Sequence, residues 1–114
     1  MQTAEAVKAL AALAQDTRLA IYRLLVQAGN EGISVGSIAE KLDLPGATLS
    51  FHLKELANGA LVEGRQEGRY IYYSANYAEM NELLAYLTDN CCQGAGCEAV
   101  ACAPAGKRTR KVAA

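Results

Sequence analysis

Apolar residues recur along most of this chain at helical spacing, and the spacing breaks only at a few Gly, Pro and Asn positions. Thr3 to Ala14 is rich in alanine and free of Pro and Gly, which predicts a helix whose small faces allow close packing. Ile21, Leu24, Leu25 and Ala28 stand at i, i+3, i+4 and i+7 and predict one buried face of a second helix. Asp16 is its expected N-cap, and Gly29-Asn30 with Gly32 its stop. Ser34 is placed to cap a third, shorter helix carrying Val35, Ile38, Ala39 and Leu42 at the same spacing. Leu44-Pro45-Gly46 interrupts the pattern, with Pro45 expected in the first turn of a fourth helix. That helix buries Leu49, Leu53 and Leu56 and ends at Asn58-Gly59.

Beyond Gly59 the helical period is lost. Leu61 to Gln66 and Arg69 to Ser74 carry the β-branched Val62 and Ile71 and three tyrosines, and read as two strands joined through Glu67-Gly68. Asn76, with Glu79 three residues on, resembles a capping box that opens a fifth helix. Tyr77, Met80, Leu84 and Leu87 form one stripe of that helix, continued by Cys91, and Leu83 with Tyr86 forms a second. A helix apolar on two sides faces both its own core and a partner. From Gly94 onward the Gly, Ala and Pro content predicts an irregular tail.

Two short helices separated by three or four residues are the sequence form of a helix-turn-helix, and the following hairpin supplies a wing. The expected fold is mainly α with a small β-hairpin wing, a winged helix-turn-helix built as a homodimer. Residues 1–90 form its DNA-binding and dimerisation domain, and residues 91–114 a cysteine-containing tail. No apolar stretch approaches a membrane span and no signal pattern opens the chain, so a cytoplasmic protein without a membrane partner is expected. The formal net charge of −1 excludes little. Its distribution says more, because Lys54, Arg65 and Arg69 fall in one region and Lys107, Arg108, Arg110 and Lys111 crowd the end.

The segments QDTRLAIYRLLVQ, PGATLSFHLKELANGALV and EGRQEGRYIYYS resemble the ArsR-type family of bacterial metal-sensing repressors over roughly residues 5 to 90. The resemblance implies that double-stranded operator DNA is the partner, read by the second helix of the motif while the rest of the fold grips phosphate. With Leu49, Leu53 and Leu56 inward, the expected outward positions are Gly46, Ala47, Thr48, Ser50, Phe51, His52 and Lys54. Thr48 and Ser50 offer hydroxyls, Phe51 suits a thymine methyl, and Gly46 and Ala47 permit close backbone approach. The resemblance supports a DNA-contacting role for His52, since the family carries histidine at the matching position. Arg65 and Arg69 flank the wing turn and are expected near the phosphate backbone or minor groove. The first and fifth helices are the expected dimer surfaces.

All four cysteines lie in one short segment, Cys91, Cys92, Cys97 and Cys102, and none precedes it. A disulfide-stapled domain spreads its cysteines across the fold, whereas a local cluster in a reduced compartment suits a thiophilic ligand. LTDNCCQG resembles the arsenite-responsive branch of the family with a C-terminal thiol site. The implied inducer is As(III), with Sb(III) as a near equivalent, because both take three sulfurs in a pyramid. Cys91, Cys92 and Cys97 make that set, and Cys102 is an additional candidate. Adjacent thiols diverge by about 100° on a regular helix, so the pair converges only where the helix frays. Zinc sites favour C-x₂-C pairs or histidine, and the single histidine lies elsewhere. Cd(II), Pb(II) and Cu(I) remain open through the same thiols, as does a thiol redox or persulfide sensor. Cys102 and Arg108 fit a C-x₅-R anion loop, but without the strand and helix that loop requires, and no nucleophile sits beside a base. An enzyme is not expected.

Overall fold

The computed structural model describes residues 1–91. Five helices and three short strands follow in the order α1 (Thr3–Leu13), α2 (Asp16–Ala28), β1 (Ile33–Ser34), α3 (Val35–Leu42), α4 (Gly46–Asn58), β2 (Val62–Glu67), β3 (Tyr70–Ala75) and α5 (Tyr77–Leu87). This is a winged helix-turn-helix, with α3 and α4 as the two helices of the motif and β2–β3 as the wing. The boundary between the chain's two compact units falls within α5, after Leu83.

Each helix start has a local cause. The Gln2 amide donates to Glu5 Oε1 at 2.7 Å ahead of α1. At α2 the cap is Gln15 and not Asp16: Gln15 Oε1 accepts from the Arg18 amide at 2.9 Å, and Asp16 becomes the first helical residue. There its carboxylate still faces the positive end of the helix dipole. Ser34 caps α3 by accepting from the Ser37 amide at 3.2 Å. Pro45 stands one position earlier than expected, as the N-cap of α4 with extended backbone. Asn76 Oδ1 accepts from the Glu79 amide at 3.2 Å and opens α5.

The core gathers one stripe from each helix. Ile21 and Leu25 of α2, Ile38 of α3, and Leu49, Leu53 and Leu56 of α4 are fully buried, with Leu61 at the entry to the wing. The α1 contribution is a row of small residues, Ala6, Ala9 and Ala12, which lets its backbone lie close to its neighbours. A Cβ added to Gly59 would stand 3.1 Å from the Ala12 methyl and 3.5 Å from the Lys8 carbonyl oxygen, so α1 presses directly on the end of α4.

The sheet is three-stranded and antiparallel in the order β1-β3-β2, where the sequence predicts only a hairpin. Ile33 and Ser34 pair with Tyr73 and Tyr72. Gly32, at φ +80°, makes this possible, since a Cβ there would collide with the Tyr73 carbonyl. In the hairpin Val62 pairs with Ala75 and Glu67 with Tyr70, which puts the turn at Gly68-Arg69, one residue beyond the expected Glu67-Gly68. Gly68 takes φ +63° at the first turn position, where the II′ hairpin turn needs glycine. In β2 only Val62 is buried, so the hairpin leaves the core at once and projects.

Candidate nucleic-acid interface

Helix α4 leaves its N-terminal half uncovered. Gly46, Ala47, Thr48, Ser50, Phe51 and Lys54 are all exposed, as their outward assignment requires. Phe51 is 57% exposed although it is the chain's single phenylalanine. An apolar ring held out in solvent on the outward face of such a helix has the form of a contact residue.

The outward placement of His52 is overturned. Its ring is only 9% exposed, and its Nδ1 faces Arg18 Nη1 at 3.2 Å. The periodicity carried the signal, because position 52 falls on the same stripe as Leu49, Leu53 and Leu56. Phe51 and His52 meet edge to face, with ring centroids 5.4 Å apart, one ring turned out and the next turned in.

The two wing arginines also separate. Arg69 shares a cleft with Ser34 and Gly36 at the start of α3, Ser50 of α4, and Tyr70 and Ile71 of β3. It makes no hydrogen bond or ion pair among the described residues, so its charge is available to an outside phosphate. Arg65 faces the opposite side of the hairpin and is held there. Its Nη2 donates to the Glu31 carbonyl at 2.6 Å, its Nε pairs with Glu67 Oε2 at 2.6 Å, and its guanidinium lies 5.4 Å from the Tyr72 ring centroid. Tyr70, 62% exposed beside Arg69, is a flanking residue that reading the sequence did not single out. Arg18, which meets His52 on the inner side of α4, was also not singled out, because an arginine within a helix reads as solvated.

A model described as a helix-turn-helix domain matches residues 13–65. The transcriptional activator HlyU of Vibrio cholerae is 34% identical over 91 residues, which span 80% of this chain and 82% of that protein. Among solved structures, an ArsR-like transcriptional regulator from Rhodococcus sp. RHA1 superposes with a TM-score of 0.67 at 34% identity, covering 74% of this chain and 76% of the other. The chain belongs to the ArsR-like family of winged helix-turn-helix transcriptional regulators. A cadmium resistance regulatory protein CadC homolog of Staphylococcus aureus is 31% identical over 80 residues, 70% of this chain and 64% of that protein. The winged domain of a possible ArsR-family regulator from Mycobacterium bovis, described as homodimeric, superposes with a TM-score of 0.60 at 32% identity, covering 75% and 80%. These ArsR-like relatives are described as transcriptional regulators or activators. No helix among the described residues is long and apolar enough to cross a membrane.

Of the thiols, Cys91 alone lies among the described residues; Cys92, Cys97 and Cys102 lie outside them. Helix α5 ends at Leu87, so Cys91 does not extend its Leu84–Leu87 stripe as expected. Asn90 turns the backbone to φ +58°, and the Cys91 amide donates to the Thr88 carbonyl at 3.0 Å in a tighter turn. The geometry of a regular α-helix therefore no longer dictates where the Cys91 thiol points. Among the described residues no group of His, Cys, Asp and Glu is assembled to hold a metal ion.

Proposed function

We propose that this regulator is a homodimeric, operator-binding repressor that releases DNA when its C-terminal thiolates take up As(III) or Sb(III). The reading rests on one observation: four cysteines packed into a single short segment directly after the helix that closes a DNA-reading fold. Thiolates are soft donors and select thiophilic ions over hard ones. Cys91 follows the end of α5, where a left-handed Asn90 has already broken the helix, so regular helical spacing does not set the direction of its thiol.

DNA is met by Ala47, Thr48, Ser50 and Phe51 in the major groove and by Lys54 and Arg69 on phosphate, with Gly46 allowing close approach. The dimer uses the exposed Val7 and Leu10 of α1, and α5 presents its own exposed Leu84 and Leu87. Two reading helices then address half-sites about one helical turn, 34–36 Å, apart. Drawing Cys91, Cys92 and Cys97 together reshapes the end of α5 and with it the dimer. Release requires that the two states differ in DNA affinity, typically by about 1–3 kcal/mol.

The test is a fluorescence-anisotropy titration of reduced protein on a duplex selected by the wild-type chain from a random pool. As(III), Sb(III), Cd(II) and Zn(II) are compared, with Cys92→Ser alongside. Release by As(III) or Sb(III), lost in Cys92→Ser while DNA binding persists, supports the reading. Release by Cd(II) alone, or by peroxide and by no metal, overturns it in favour of another thiophilic ion or of thiol oxidation.

A further inference from the structure

We propose that Arg18 is a positioning residue for the DNA-reading helix, fixing α4 against α1 through His52. Its side chain bridges two elements. Nε donates to the Ala12 carbonyl at 2.7 Å, in the last turn of α1, where carbonyls lack a donor within the helix. Nη1 faces Nδ1 of His52 at 3.2 Å, in the middle of α4. A guanidinium has only donors and keeps its proton, so the imidazole presents a lone pair at Nδ1 and carries its hydrogen on Nε2. The ring is almost fully buried, and a charge-assisted bond there is stronger than one in water.

A planar fork that serves two acceptors sets the distance between them, which a lysine, a point charge on a flexible stem, does not. Helices α1 and α4 meet at a second point, where Gly59 receives the Ala12 methyl. Ala12 is thus tied to α4 twice, by its carbonyl through Arg18 and His52 and by its methyl at Gly59. Two contacts at different heights along α4 fix both its tilt and its rotation. Rotation decides which way Ala47, Thr48, Ser50 and Phe51 point. If α1 forms the dimer surface proposed above, a shift of α1 reaches the reading helix along Ala12, Arg18 and His52; the positioning role itself does not depend on that dimer.

The experiment compares Arg18→Met, Arg18→Lys, His52→Leu and His52→Asn in the full chain, each checked for helicity and oligomeric state. Arg18→Met and His52→Leu should each weaken binding to the selected duplex by about tenfold or more. The salt dependence should stay unchanged, because no phosphate contact is removed. Together the two should cost no more than either alone. His52→Asn, whose amide oxygen takes the place of Nδ1, should recover binding to within about threefold of wild type, whereas Arg18→Lys should not. Nitrogen-15 spectra of the His52 ring should show the Nε2–H tautomer in the wild type and a mixture in Arg18→Met. A folded Arg18→Met with wild-type affinity, or with a shallower salt slope, overturns the proposal. Should Arg18→Met fail to fold, equal losses in His52→Asn and His52→Leu overturn it. If the wild type selects no duplex, the operator reading fails, and the tautomer measurement still decides this one.

Discussion

The two faces of α4 invert the usual assignment of side chains. Inward, Leu49, Leu53 and Leu56 are joined by a histidine; outward, small and hydroxyl residues are joined by a phenylalanine. The buried polar ring is tolerated because Arg18 meets its lone pair, and the exposed apolar ring suits the proposed docking on DNA, where thymine methyls would meet it. Polarity alone misassigns both residues; position on the helix assigns both correctly.

The largest effect that tests this division lies inside. Leu53→Ala should destabilise the fold by about 2–5 kcal/mol, read as a lower thermal midpoint, and should reduce DNA binding only through unfolding. The glycines at the two ends of α4 should then behave oppositely. Gly59→Ala forces its methyl to 3.1 Å from that of Ala12 and should cost about 1–3 kcal/mol. Gly46→Ala meets nothing within 4 Å and should stabilise by about 0.4–1 kcal/mol while weakening DNA binding. On the outer face, Phe51→Ala should lower operator affinity by about tenfold and leave stability within about 0.5 kcal/mol. A drop in stability equal to the drop in binding would return Phe51 to the packing.

Arg69→Gln should reduce the log–log salt slope by about 0.9 per protomer, measured by anisotropy across a salt series. The smallest effect concerns a polar group that, unlike His52, finds no hydrogen-bond partner among the described residues: the buried Tyr22 hydroxyl. Burial, and secondarily the neighbouring Tyr77, raise its pKa above the ordinary 10.0. The folded state then holds this proton more tightly than the unfolded chain. Stability should be full below pH 10.0 and fall as pH rises through the higher folded value. Tyr22→Phe should remove that alkaline loss and gain up to about 1 kcal/mol at neutral pH, checked by denaturant midpoints across pH.

Helix periods, turn glycines and the tyrosine-bearing strand segments made nearly every element legible, because each is written in neighbouring residues. Strand β1 was not, since two residues carry no periodicity and their partners, Tyr72 and Tyr73, lie far along the chain. The α2 cap went to Gln15 over Asp16 because the longer side chain reaches the Arg18 amide, a matter of reach and not of propensity. For the reading face, the outward residues of α4 followed from the leucine spacing. The inward turn of His52 followed from the same spacing but was masked by its polarity. That Arg65 is held within the wing, while Arg69 makes no hydrogen bond or ion pair among the described residues, was not legible, because Glu31, which holds Arg65, is a residue no local pattern connects to the hairpin.

The ties on Arg65 bear on the thermodynamics of association. A projecting hairpin that was loose in the free protein would lose conformational freedom on docking, and that loss would subtract from affinity. With Arg65 joined to the Glu31 carbonyl, the Glu67 carboxylate and the Tyr72 ring, that freedom is already given up when the chain folds. Binding should therefore show the heat-capacity change of two rigid surfaces meeting, without the larger signature of a segment that folds on contact.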